Sequence, residues 1–193
     1  MNKKANVLYL PHVITSNKIK LPKTFAVDTN VLLKVYYSRS SPNDTKNKSY
    51  SRFIETIAND DKISLQTTTY NIAELFHIIE RKEHEIYTKT VNPNITLKDF
   101  RNLEEQRTTI QQELELVFAQ IESLFVINEV CTKVDVLKDF SENYNSIYCD
   151  NYDYSIVKYF LEHNCTNFIS DDIDFSYFDG ITLFTSNYAA CQN

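Results

Sequence analysis

Glycine occurs once in the 193 residues, at Gly180, and tryptophan not at all. With so little glycine, no Gly-rich turn can bring successive backbone N–H groups up to a phosphate, so the dinucleotide fingerprint and the P-loop are both excluded. The four cysteines, Cys131, Cys149, Cys165 and Cys191, show no Cys-x-x-Cys spacing and no paired histidines. Neither a zinc site nor a redox motif is signalled, and a reduced cytoplasmic chain is expected. Long apolar runs are missing too. The apolar opening breaks at Pro11 and His12, short of a signal peptide, and nothing later approaches a membrane span, so the expectation is a soluble protein without a membrane partner.

What is present is enough apolar material for one core. The chain is 42% hydrophobic and 13% aromatic, and a single domain over 1–193 is expected. The net charge of -6 hides an asymmetry. Residues 1–52 hold ten of the 20 Lys and Arg but only two of the 26 Asp and Glu, leaving ten against twenty-four in the rest. An otherwise acidic protein therefore has a basic first quarter that could contact phosphate, through Lys18, Lys20, Lys23, Lys34, Arg39, Lys46, Lys48 and Arg52. Ordinary solvated lysines give the same composition.

Hydrophobic periodicity alternates between strand and helix. Residues 1–23 form a basic N-terminal extension with an extended piece over 6–14, read as an added edge strand or an arm. Phe25-Ala-Val27 reads as a short buried strand that stops at Asp28-Thr29-Asn30, and helix spacing begins at once over 31–37. A polar loop over 40–48, a helix over 49–58, a strand over 62–66, a polar link over 67–69 and a helix over 70–81 come next. The long helical section over about 82–124 contains the longest periodic segment, from Thr96 to Leu124. Taken as one helix it would reach about 40 Å and is expected to project or to pair with a second copy as a homodimer. Strands at 125–128, 167–170 and 181–185 and helices at 132–144 and 153–163 complete an α/β pattern with a largely parallel sheet.

In such a sheet ligands bind beyond the carboxyl ends of the strands. Asp28 falls there, with Glu74 in the opening turns of the helix after the second strand, Asp153 at the start of a helix, and Asp172 just past the fourth strand. Each has a plainer reading: Asp28 and Asp153 as helix caps, Glu74 as a solvated helix acid, Asp172 as a turn acid. Gathered together, four carboxylates repel, and hard divalent cations remove that penalty. All-oxygen ligation suits Mg²⁺ or Mn²⁺, which activate water against a phosphodiester.

Val27-Asp28-Thr29-Asn30-Val31-Leu32, then Glu74 on its helix, then Asp153 and the run to Ser170-Asp171-Asp172-Ile173-Asp174-Phe175, resemble the motifs of PIN-domain nucleases over roughly 25–185. The resemblance implies a PIN-like three-layer α/β/α fold with a central, mostly parallel sheet and, here, an extended helical insertion. It implies metal-dependent cleavage of single-stranded or structured nucleic acid, most often RNA, and in many bacterial members a toxin role countered by an antitoxin. Carried over by position, Asp28, Glu74, Asp153 and Asp172 are the expected catalytic acids holding one or two Mg²⁺ or Mn²⁺ ions, with Asp174 as an accessory ligand. Asn30 and Ser170 would support them. Lys34, Arg39, Lys48 and Arg52 are the expected substrate contacts. Asp150 and Asp171 lie close enough to compete with Asp153 and Asp172. The rivals are a DNA-directed nuclease on the same site and a PIN-like assembly module without activity. A dehalogenase-type phosphatase is disfavoured because Asn30 stands where its second Asp belongs.

Overall fold

The computed structural model describes residues 3–16 and 20–192; Lys18, one of the basic residues named above, lies outside the described residues. Among the described residues, six strands form one sheet: β1 (Asn6–Tyr9), β2 (Thr24–Val27), β3 (Ser64–Thr68), β4 (Phe125–Asn128), β5 (Asn167–Ile169) and β6 (Thr182–Thr185). Their order is β1-β6-β5-β2-β3-β4, and every pairing is parallel. From β2 the chain steps to β3 on one side, while β5 lies on the other. The ends of β2 and β5 therefore flank the topological switch point, where open α/β sheets bind ligands.

Successive strand residues face opposite sides. Phe25, Val27, Ile169 and Phe184 enter one core with α1 (Leu10–Thr15), α2 (Thr29–Tyr36), α3 (Thr45–Ala58), α4 (Thr69–Thr90) and α6 (Glu104–Leu124). Ala26, Phe168 and Leu183 enter the other with α8 (Asn151–Glu162) and the short α9 (Tyr188–Cys191). The result is three layers, helices on both faces of a parallel sheet. A turn of helix, α5 (Leu97–Phe100), precedes α6, and α7 (Val134–Glu142) packs on α8.

Several expectations need correction. The extended reading of 6–14 holds only to Tyr9, because Pro11 falls in the first turn of α1, where its missing N–H costs no hydrogen bond. Helix α3 begins at Thr45, four residues early, since the Asp44 carboxylate accepts from Lys46 N and Asn47 N. Helix α4 is the longest at 22 residues, and Thr68, placed in a link by the sequence, ends β3 and caps α4 reciprocally with Asn71.

The predicted single helix over 96–124 breaks at 101–103. Phe100 is wholly buried against His84 and Tyr87 of α4, and Arg101 turns back to donate to both oxygens of Glu80 at 2.6 and 2.5 Å. Burying a phenyl ring contributes about 1.5–3 kcal/mol. Three more helical residues gain at most a few tenths each from propensity, about 0–0.7 kcal/mol, so the bend wins. Beyond the bend, α6 does not project: Val117 and Ile121 are buried, and the helix lies along α4 and α2.

Candidate functional site

The Asp28 carboxylate does two things. Asp28 is the N-cap of α2, and its Oδ1 accepts from Thr29 N at 2.7 Å. Its Oδ2 accepts from Ser170 Oγ at 2.7 Å and from Asn30 Nδ2 at 2.5 Å. Ser170 in turn accepts from Asp172 N at 3.0 Å, and Asn30 Oδ1 accepts from Asp171 N at 2.9 Å. The end of β5 is thereby laced to the end of β2.

On the other side of Asp28, Thr29 Oγ1 donates to Glu74 Oε2 at 2.6 Å and accepts from Asn71 Nδ2 at 3.1 Å. A hydrogen-bonded web thus runs from Glu74 through Thr29 to Asp28, then through Ser170 to the backbone of Asp172. Thr29 and Asn71 were not singled out from the sequence. Their signals were present, in the middle of Asp-Thr-Asn and in the Thr68-x-x-Asn71 capping spacing.

Asp153 lies in the first turn of α8, its N–H donating to the capping carboxylate of Asp150 at 2.9 Å. Burial, with the charges of Asp28, Asp150, Asp172 and Glu74 behind it, pushes its carboxyl up to about 9. Burial likewise drives Asp28 up to about 7; the donors Ser170 and Thr29 pull it back, and Glu74 and Asp172 raise it. Asp174 is raised by burial and by Asp172 and Asp150. Burial, and then the charges of Asp153, Asp150, Asp174 and Asp172, push the Cys149 thiol up to about 12. The structure therefore brings Asp28, Glu74, Asp153 and Asp172 into one field of mutual repulsion, with Asp174 at its margin. Among the described residues, however, no three His, Cys, Asp or Glu side chains gather closely enough to hold a metal ion as they stand.

The two competing acids are otherwise engaged. Asp150 caps α8. Asp171 turns away to accept from the Tyr50 hydroxyl at 2.9 Å and to pair with Lys46 at 3.2 Å and Lys34 at 3.5 Å. Tyr50, fully buried, also donates toward Ser170 O and accepts from Ser186 N at 2.8 Å; its helical spacing in the sequence marked it only as a core position. Of the expected substrate contacts, Lys34, Lys48 and Arg52 line one cleft beside Asp171, whereas Arg39 is drawn to the buried carboxylate of Glu83 at 3.3 Å.

Fold and switch-point geometry define a three-layer α/β/α protein of PIN-like architecture. At the level of fold the chain resembles a PIN-domain protein of the VapBC2 type. The likeness is to a chain of VapBC2 from Rickettsia felis bound to a DNA fragment from their promoter, at a TM-score of 0.50 and 14% identity, covering 83% of this chain and 96% of that one. Among curated proteins, "Probable polyketide synthase 17" of Dictyostelium discoideum is 26% identical over 156 residues, 75% of this chain. The match spans 6% of that protein's length. No protein-family model matches. Among the described residues, no helix is long and apolar enough to cross a membrane.

Proposed function

We propose that the chain is a metal-dependent nuclease of the PIN type that hydrolyses phosphodiester bonds of RNA at Asp28, Glu74, Asp153 and Asp172. The observation that carries this is the web joining Glu74, Thr29, Asp28, Ser170 and Asp172 across the switch point, with Asp153 facing it in the same field.

The donor set fits a hard cation: all its donors are carboxylate oxygens, and their crowding is the charge excess a divalent ion relieves. Mg²⁺ keeps several waters and takes one or two carboxylates directly, so a closed cage of three ligands is not required. Asp28 and Asp153 would hold the ion, Asp172 and Glu74 would act on its waters, and Asp174 would add charge at the rim. When bound, the ion supplies an acidified water and neutralises charge on the phosphate.

The chain's own residues do the rest. Ser170 and Asn30 hold the Asp28 carboxylate in one orientation, as supporting donors do for metal ligands. Thr29 fixes one oxygen of Glu74 and leaves the other to orient a water. Asp153, whose carboxyl is raised by burial and by the neighbouring acids, would hold its proton less tightly with a cation bound beside it. No covalent intermediate on the chain is called for.

An antitoxin partner and a toxin role are supported by the fold likeness alone. A cytoplasmic setting is supported by the four free thiols. A homodimer through the end of α6 is supported by its exposed Leu124, and light scattering tests it.

The test of the function is cleavage of labelled single-stranded and hairpin RNAs and DNAs with Mn²⁺ or Mg²⁺, wild type against Asp28→Ala, with EDTA as control. Cleavage of RNA that needs both the metal and Asp28 is expected. Cleavage of DNA alone moves the reading to a DNA-directed nuclease, and no cleavage together with no thermal response to Mn²⁺ overturns it in favour of an assembly module.

A further inference from the structure

A cleft of about 770 Å³ opens between α2, the loop after it, α3 and the middle of α6. Three cations line it. Lys34 pairs with Asp171 at 3.5 Å, while Lys48 and Arg52, one turn apart on α3, are exposed and have no ion pair among the described residues. Hydroxyl and amide groups fill the space between, at Ser38, Ser40, Ser41, Asn47 and Ser51. One acid, Glu55, lines it too. In a chain with net charge -6, this is a local reversal of sign.

The rim is built in advance. Glu113 of α6 accepts from Ser38 N at 2.8 Å and from Ser38 Oγ at 2.7 Å. Ser40 Oγ donates to Leu33 O at 2.7 Å, and Asn47 Nδ2 to Ser41 O at 3.0 Å. The helical insertion supplies the far wall, through Leu116, half exposed, and Gln120.

A second observation points to a ligand. Tyr36, at the C-terminal end of α2, lines the same cleft and is 9% exposed, yet its hydroxyl is buried without a hydrogen-bond partner. Burial and the nearby Glu55 charge hold that hydroxyl in its protonated, donating form. A buried donor without a partner costs about 1–3 kcal/mol, and a small shift of the loop that gave it an anionic acceptor would recover that loss.

We infer that this cleft binds the phosphodiester backbone of a single-stranded nucleic acid, with Lys48 and Arg52 on successive phosphates, Tyr36 as a neutral donor, and the α6 insertion as its outer wall. Lys34 marks the passage from the cleft to the carboxylates, since Asp171, its partner, is the neighbour of Asp172. Arg39 takes no part, being held by Glu83. The choice of polymer rests on the nuclease reading; the anionic backbone does not.

The experiment is fluorescence anisotropy of labelled 12-nucleotide poly-U RNA and poly-dT DNA in EDTA, so that nothing is cut, over a range of KCl concentrations. For Lys48→Gln/Arg52→Gln, both on the exposed face of α3, we expect binding to weaken at least about tenfold and the slope of log K against log salt to fall by about 1.4, at about 0.7 per single-strand phosphate. Tyr36→Phe is expected to weaken binding severalfold while leaving the free protein as stable or more so. A purely structural hydroxyl would not combine those two results. Glu55→Gln is expected to tighten binding. Asp28→Ala should bind at least as well as wild type, which separates the cleft from the chemistry: salt-dependent binding lost in the double variant supports the cleft even if no substrate is cut. RNA binding with or without DNA binding supports it as well. Unchanged affinity and slope in the double variant overturn it, even where Asp28-dependent cleavage is found.

Discussion

Ser170 Oγ donates to Asp28 Oδ2 across 142 residues of chain, and the same oxygen accepts the N–H of Asp172. One hydroxyl thus sets both the orientation of the buried carboxylate and the direction in which the chain leaves β5. Replacing Ser170 with Ala removes a donor that lowers the Asp28 carboxyl. Cleavage is expected to fall about 10–100-fold, as when a ligand's supporting hydrogen bond is lost, with the rate rising toward higher pH than in wild type. A pH–rate profile in Mn²⁺ checks both.

The repulsion among the acids has a definite sign in pH. Unfolded, the Asp28 and Asp153 carboxyls lose their protons near pH 4; folded without metal, Asp28 keeps its proton to about pH 7 and Asp153 to about pH 9. The folded state binds more protons throughout that window, so metal-free stability falls as pH rises from about 4 to about 9. Asp153→Asn is expected to raise the metal-free Tm at pH 8 by about 5 °C, taking roughly 2 kcal/mol at about 2–4 °C per kcal/mol. Mn²⁺ should stabilise wild type far more than the variant. Thermal melts in EDTA and in Mn²⁺ across that pH range measure it, and a metal-free Tm that climbs with pH would count against the crowding.

Thr29→Val tests the Glu74 arm. It leaves Asn71, 1% exposed, without its hydroxyl acceptor and frees Glu74 from its donor. The Kd for Mn²⁺ is expected to rise about tenfold, with a stability loss of about 1–3 kcal/mol for the orphaned amide. Calorimetric titration and urea unfolding read the two effects separately.

Tyr50→Phe removes a hydroxyl that no active-site motif would include. Its loss strands the buried Ser186 N–H and releases Asp171 toward Lys34 and Lys46 alone. A loss of about 1–3 kcal/mol in urea unfolding is expected, with weaker cleavage because the turn carrying Asp172 loosens.

The order of strands and helices was legible because each face of the sheet imposes its period on the chain, and Phe25-Ala26-Val27 alternates between two cores as a doubly covered strand must. Asp28 was legible because an apolar run ended on a charge. The break at 101–103 was not: Phe100 fits a helical pattern equally well whether it sinks into α4 or faces a partner, and only the tertiary contact separates the two. The same limit hid Tyr50 and the fate of Arg39, whose partners lie 121 and 44 residues away in sequence. A capping carboxylate and a functional one are also alike in sequence, and Asp28 is both at once.

The parallel pairing of β1 with β6, Asn6 beside Thr182, has a consequence for how the protein comes into being. A ribosome makes β1 well before its neighbour β6, and β2 well before its neighbour β5. Until Ser170 has been made, Asp28 therefore has no partner from β5 to hold its carboxylate. Contacts so distant in sequence form slowly, so the carboxylate cluster is complete only once β5 has paired with β2.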